Sequence, residues 1–558
     1  MDVEKKMDTP FEDSSSTSEL STTQEGVTAA YEAKSTLINE HLQNEIGFGR
    51  YQLQLFFLTG LGWAADNIWL QGVAIILPQI QNELHPTRVE FATMSLFIGL
   101  IVGASTWGVL ADLIGRRLSF NITLFIAAVF GIAAGGANNF TTICALISCL
   151  GFGVGGNLPV DGAIFLEVLP KNQQWWLTLL SVWWALGQLF ASLVAWPLIS
   201  NFLCGDPTHC LKAENKGWRY TLYHQSFDTL LLCSVRLPFS HDLLSRLLTR
   251  PLPFSGGVTA VMWILRYVVF DLQESCKYLV AKGRDEEAIE VLEHIARKNG
   301  KTITLTLESL RAVAKDETGQ PGTIVHLSTY QVVRNAFSSL SLSHVTPLFS
   351  TRRLAINTSI TIVLWGLIGL AYPLFNGFIT LYLSTQIKNQ TSSTYRTYRD
   401  YSIISVLGVP GSIIACLVVD FTRKNPTKFA MGGRKVTMAL STALTGIFLF
   451  LFTTSKTENA VLGYSLASGL TQCTAFSTRI PPEVFPAPHR GTGDALCSAF
   501  NRICGVLAPV IKIVTTNPDG TAVGGTANGP IFVSATLFMV ASVLMLFLPI
   551  ETAGKAAL

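Results

Sequence analysis

The chain has 558 residues, of which 49% are hydrophobic and only 14% charged, with a formal net charge of +3. Soluble domains carry about 25% charged residues, and the mean hydropathy here is +0.40, so composition argues against a soluble globular protein. The small net charge gives no reason to expect nucleic acid as a partner. The cysteines form no paired CxxC spacing, so neither a zinc site nor a redox motif is indicated, and no cofactor is expected.

Residues 1–46 are rich in Ser, Thr and Glu and read as a disordered cytosolic tail. A spanning helix needs about 20 apolar residues. Candidate spans follow at 53–78, 90–110, 118–137, 141–166, 175–199, 256–270, 354–383, 401–419, 436–454, 460–480, 493–515 and 530–548. They predict an all-α membrane protein with twelve transmembrane helices. Residues 47–270 form a first six-helix bundle, 271–353 a cytosolic central loop, 354–550 a second bundle and 551–558 a cytosolic tail.

The first span carries Asp66 and Asn67 near its middle, with Gln71 one turn further on. A carboxylate at mid-membrane costs about 2.5–3.5 kcal/mol on insertion scales, so it belongs in a protein interior or a watery cavity. The fourth span carries Asn157 and Asp161, four residues apart and therefore on one helix face. Gln188, Asn376, Gln472, Asn501 and Arg502 lie in later spans. Trp63, Trp69, Trp183, Trp184 and Tyr372 are candidate cavity walls. Asn376 stands out among the amides, because Pro373 and Gly377 loosen its helix.

Between the fifth and sixth spans, Cys204 and Cys210 share a polar loop and can bridge in an oxidising compartment. The sixth span is defective. Gly217-Trp218-Arg219-Tyr220 reads as a helix start, yet the apolar run arrives only at Gly256 and lasts fifteen residues, about 22 Å of helix. The stretch between, about 224–255, carries Pro238, Pro251, Pro253, Arg236, Arg246 and Arg250 and reads as an insertion that splits the helix, or else as an extended extracellular loop. The central loop predicts an amphipathic helix with Ala288, Val291, Leu292 and Ile295 on one side and Asp285, Glu286 and Glu287 on a solvated face.

The two halves share signposts. Asp112 precedes Arg116 and Arg117 in the first, as Asp420 precedes Arg434 and Lys435 in the second. Glu167-Val-Leu-Pro later returns as Glu483-Val-Phe-Pro. Recurrence of both in one order predicts two matching six-helix repeats that rock about a central site. Asp112, Arg116, Arg117, Glu167, Asp420, Arg434, Lys435, Glu483 and Arg490 are the candidate cytosolic gate. Basic loops 2–3 and 8–9 place both termini in the cytosol and the Asn389-Gln390-Thr391 sequon outside, where glycosylation is possible.

At this point GVLADLIGRR, QESCKYL (273–279) and PIETAGK (549–555) resemble signature strings of the major facilitator superfamily, sugar-porter-like in type. GWRY, YPLFNGF (372–378) and PPEVFP (481–486) resemble fungal general-substrate transporters related to synaptic vesicle proteins. The resemblance covers about residues 47–555 apart from roughly 224–255, and it implies alternating access with proton or ion coupling. Ile147 stands where many relatives have an arginine. The glucose-type QQxSG string is absent, so a hexose substrate is not supported.

The expected function is secondary active transport of a small organic solute, with proton-coupled uptake through Asp66 or Asp161. Asn67, Gln71, Asn157, Gln188, Asn376, Gln472, Asn501 and Arg502 are the expected solute ligands. The alternatives are a proton-driven exporter of a metabolite or drug, and a membrane sensor without transport. No HExxH or Ser/His/Asp constellation supports an enzyme. The bilayer, the solute and the proton are the expected partners of a monomer in the plasma membrane.

Overall fold

A computed structural model of the chain describes residues 29–114, 116–170, 173, 175–205, 210–225, 262, 272–281, 283–313, 346–386, 393–424, 433–477, 490–517 and 528–549. The first helix, α1 (Ala29–His41), lies inside the stretch read as a disordered tail and runs into a π-turn at Leu42–Ile46. The first crossing is α2 (Arg50–Leu84), whose 35 residues make about 52 Å of helix, well beyond the span 53–78. It is followed by α3 (Glu90–Ile114) and α4 (Arg116–Gly136). The fourth crossing breaks at Gly156 into α5 (Phe140–Gly155) and α6 (Asn157–Val168).

The fifth crossing comprises α7 (Trp175–Leu179) and α8 (Ser181–Asn201), and α9 (Gly217–Gln225) begins the sixth. The central segment forms α10 (Cys276–Ala281), α11 (Asp285–Lys298) and α12 (Leu307–Ala312). The second half holds α13 (Arg352–Asn376), α14 (Ile379–Gln386), α15 (Thr394–Lys424), α16 (Gly433–Thr454), α17 (Glu458–Ser477), α18 (Arg490–Thr515) and α19 (Gly529–Leu546). Among the described residues nine helical stretches are long and apolar enough to cross a membrane. The more polar α2 and α17 are also long enough. Of the sixth crossing, α9 and Met262 are described; most of the proposed insertion and Arg266 lie outside the described residues.

Packing repeats between the halves, crossing for crossing. In the first bundle α5 packs on α3 and α4, α8 on α2, and α9 on α2 and α4; in the second, α17 packs on α15 and α16, α18 on α13, and α19 on α13 and α16. The bundles meet along two further matched seams, α8 on α15 and α18 on α3. This is the two-fold arrangement of six-helix bundles expected from the repeated signposts. Small residues allow the close approaches that packing in lipid relies on. A Cβ on Gly99 or Gly103 of α3 would lie 2.1 Å from Ser148 O or 2.2 Å from Phe152 O of α5.

The central helices cap one end of the first bundle. Ala288, Val291, Leu292 and Ile295 of α11 are buried, as their spacing predicts, in a cluster with Ile38, Leu42 and Ile46 from the N-terminal segment and Tyr51 and Leu55 of α2. Two expectations are corrected here. Residues 29–46 are helical because this apolar side is covered by α11. Asp285 is not solvated: it is 5% exposed and pairs with Lys34 Nζ at 2.6 Å. Glu286 and Glu287 do lie on an exposed face, paired with Arg311 and Arg284. The opposite, distal end carries the Cys204–Cys210 disulfide, the bridge the loop allowed.

Candidate functional site: a buried polar core between the bundles

Asp66 is 2% exposed and lies on α2 against α6. Asn157 Nδ2 donates to Asp66 Oδ1 at 2.8 Å. Asp161, one turn beyond Asn157, is fully buried. The break at Gly156 sets Asn157 at the start of a new helix. Beside it, Asn67 Nδ2 donates to Trp184 O at 2.7 Å. Gln71 Nε2 donates to Asn67 Oδ1 at 3.3 Å and to Tyr372 OH at 3.2 Å. Its Oε1 accepts from Tyr401 OH at 2.6 Å.

Tyr372 leads into a narrow cavity between the bundles. Gln188, Asn376, Gln472, Ser465, Ser468 and Phe375 are among its walls, and in this conformation it closes to about the volume of one water. Asn376 Nδ2 donates to Gln472 Oε1 at 2.8 Å, while Gln188 reaches Ser405 Oγ at 3.5 Å. Gln472 Nε2 and Ser468 Oγ are buried without a hydrogen-bond partner. Among the described residues, no charged side chain lines the cavity.

Three of the eight expected solute ligands, Gln188, Asn376 and Gln472, therefore line the cavity. Asn67 and Gln71 reach it through Tyr372, while Asn157 bonds Asp66, the residue before Asn67 in sequence. Asn501 and Arg502 stand apart: Asn501 Nδ2 donates to Trp365 O at 2.8 Å within the second bundle, and Arg502 Nη1 reaches Leu100 O at 3.4 Å. Of the five expected aromatic walls Tyr372 lines the cavity, whereas Trp69 is fully buried in the first bundle. Ser465, Ser468 and Cys473 were missed by sequence reasoning. With Gly469 and Gln472 they recur at helical spacing on one face of α17, a signal hidden because small residues in a span also read as packing.

The expected gate is only partly described. Arg117 is exposed, and its backbone N–H donates to Glu274 Oε2 at 3.3 Å. Glu167 is half-buried and lines a second small cavity at the capped end with Glu274 and Lys277. Lys435 is half-buried in α16. Asp112, Arg116, Asp420, Arg434 and Arg490 fall at helix ends, but their side chains lie outside the described residues, as do Glu483 and the Asn389 sequon.

Paired six-helix bundles enclosing a buried polar core define an integral, multi-pass membrane transporter. A family model described as Major Facilitator Superfamily matches residues 55–433. The chain is 40% identical over 534 residues to MFS siderochrome iron transporter 1 of Ceriporiopsis subvermispora, covering 95% of this chain and 92% of that protein. It is 39% identical over 545 residues to an uncharacterised MFS-type transporter of Schizosaccharomyces pombe, covering 94% and 90%. Among solved structures it resembles the proton:xylose symporter XylE, with a TM-score of 0.59 at 16% identity, covering 91% of this chain and 98% of that one. The chain belongs to the Major Facilitator Superfamily.

Proposed function

We propose that the protein takes up a small organic solute together with protons by alternating access, with Asp66 and Asp161 as the proton-binding pair. The observation that carries this reading is the layering of the site. An uncharged, hydrogen-bonding cavity lies between the bundles, and two buried carboxyls, Asp66 on α2 and Asp161 on α6, lie outside its lining. Asn67, the residue after Asp66, is linked to the cavity wall through Gln71 and Tyr372. A proton bound at the acid in one conformation and released in the other carries the driving force, about 2.3 kcal/mol per charge per 100 mV. That supports roughly forty- to fiftyfold accumulation.

The basic loops support a cytosolic side for the capped end. The disulfide at the distal end fits an oxidising outer face, and the plasma membrane is the proposed site. The solute is held by hydrogen bonds rather than ion pairs. Each buried donor left unpaired costs about 1–3 kcal/mol, so Gln472 Nε2 and Ser468 Oγ favour a solute that brings acceptor oxygens or nitrogens between Tyr372 and Phe375. The name of XylE as a proton:xylose symporter supports coupling to protons, and that of the siderochrome iron transporter supports transport of a solute.

The test is Asp66→Asn in proteoliposomes, using a solute found by a thermal-shift screen. The substitution keeps an acceptor oxygen for Asn157 Nδ2 while removing the proton site. Accumulation driven by an imposed pH gradient is expected to vanish, while solute exchange at equal pH persists. Full proton-driven accumulation by the variant overturns the reading.

A further inference from the structure

The distal end is closed by hydroxyl donors of the second bundle reaching backbone carbonyls of α2. Thr380 Oγ1, on α14, donates to Ala74 O at 2.6 Å. Tyr398 OH, on α15, donates to Ile75 O at 2.9 Å. Both side chains are buried, Thr380 fully. A helix-interior carbonyl is ordinarily occupied by the N–H four residues on. For Ala74 that residue is Pro78, inside α2, which has no N–H and whose ring crowds the carbonyl. Ala74 O is therefore an acceptor that α2 itself cannot satisfy, beside a second carbonyl that also accepts from the other bundle. A buried carbonyl without a partner is costly, so the position needs either a donor from outside the helix or water.

We propose that Pro78, Thr380 and Tyr398 form the distal gate: the proline frees the carbonyl, and the two hydroxyls clasp α2 when this end is shut. At α2 closure thus depends on neutral hydrogen bonds to main chain, while elsewhere at this end buried Lys512 of α18 faces the charge of Glu90 on α3. When the bundles part, Ala74 O passes from the threonine to water, so opening and hydration of the path are one event. Around the clasp, Ser402 Oγ donates to Ser192 O at 3.0 Å and Arg88 to Thr516 O, both between the bundles. These contacts widen the seal, but α2 contains no proline four residues beyond any other carbonyl.

The proposal rests on the alternating-access reading, and the experiment separates the two. Spin labels at Thr87→Cys and Ser393→Cys, exposed positions on opposite bundles at the distal end, report opening as a distance distribution in nanodiscs. The background lacks other accessible free thiols. Thr380→Val and Tyr398→Phe are each expected to raise the ratio of long to short distances about fivefold, the worth of one net hydrogen bond. Thr380→Ser, which keeps the hydroxyl, is expected to leave the ratio unchanged.

Pro78→Ala supplies the missing N–H, which recaptures Ala74 O, and should favour the long distances although it improves the helix. This variant guards against misfolding as the cause of a shift. If two populations are present but the Thr380→Val/Tyr398→Phe double variant, melting like the parent, leaves their ratio unchanged, the gate is overturned and alternating access stands. A single fixed distance in the parent and every variant overturns both.

Discussion

A chain lacking residues 226–255 is expected to fold into the same bundles and to melt no lower than the full chain. α9 runs antiparallel to α2. Asn215 Nδ2 donates to Gln79 O, and Trp218 and Arg219 both donate to Glu83, at the distal end. Gln225 then lies against Gly72, where a Cβ would fall 2.2 Å from its Oε1. Met262 packs further along α2, clustered with Leu61, Ala64, Ala65 and Ile68. From Gly72 to the middle of that group is about 11 Å, which a helix covers in about seven or eight residues. Residues 226–261 supply far more, leaving about 29 surplus, close to the stretch read as an insertion. Joining Gln225 to Gly256 gives a sixth helix of about 24 residues and roughly 36 Å, enough for a core of about 30 Å. Ordering the ends of a loop of some 30 residues costs about 3 kcal/mol, so its removal stabilises by at most that amount. Size-exclusion profiles and thermal unfolding in nanodiscs measure the outcome. A deletion chain that aggregates, or melts well below the full chain, refutes the continuous-helix argument.

Two further outcomes concern the capped end. Asp285→Ala strands Lys34, a loss of about 3–5 kcal/mol for a buried pair; because α1 is terminal, it should undock before the bundle melts. Limited proteolysis is expected to cut residues 29–48 faster, and Lys34→Met with Asp285→Leu to restore protection; unchanged cleavage refutes the role of the pair. Burial pushes the Cys276 thiol up to about 12, so its thiolate, the reactive form, is scarce until the pH approaches that value. Peptide-resolved maleimide labelling of the folded protein at pH 7.5 should leave Cys276 unmodified, and rapid modification refutes that burial.

The spans were legible because hydrocarbon demands long apolar helices, and the repeated signposts disclosed their pairing into halves. Asp66 was legible for the same reason reversed: an acid in such a helix stands out against its cost. Its partner Asn157 was legible only as a member of a polar face, since nothing local says which helix faces which. α1 was not legible, because its sequence AAYEAKSTLINEH carries little apolar surface until α11 covers Ile38. Asp285 misled for a related reason. It begins an acidic triplet whose next two members do face water, and only the long-range contact with Lys34 separates it from them. The clasp on α2 escaped because a proline shows which carbonyl it frees, while the hydroxyl that answers it lies some three hundred residues away.

Gln71 decides how acid and gate are related in the proposed cycle. Asn157 to Asp66 and Asn67 to Trp184 are bonds within the first bundle, so they survive any rigid movement of one bundle against the other. The contacts from Tyr372, Tyr401, Tyr398 and Thr380 to α2 all cross between bundles and must break when the distal end opens. Gln71 belongs to both sets. It holds Asn67, the residue after Asp66, and it loses two tyrosine hydroxyls at the moment the clasp lets go. Opening therefore changes the hydrogen bonding beside the acid without moving the acid within its own bundle. Linkage makes the effect reciprocal: whatever opening does to proton affinity at Asp66, a bound proton does to opening by the same factor. In the proposed cycle a fixed acid next to a neutral, breakable amide bridge offers a way to couple the two events that needs no ion pair at Gln71.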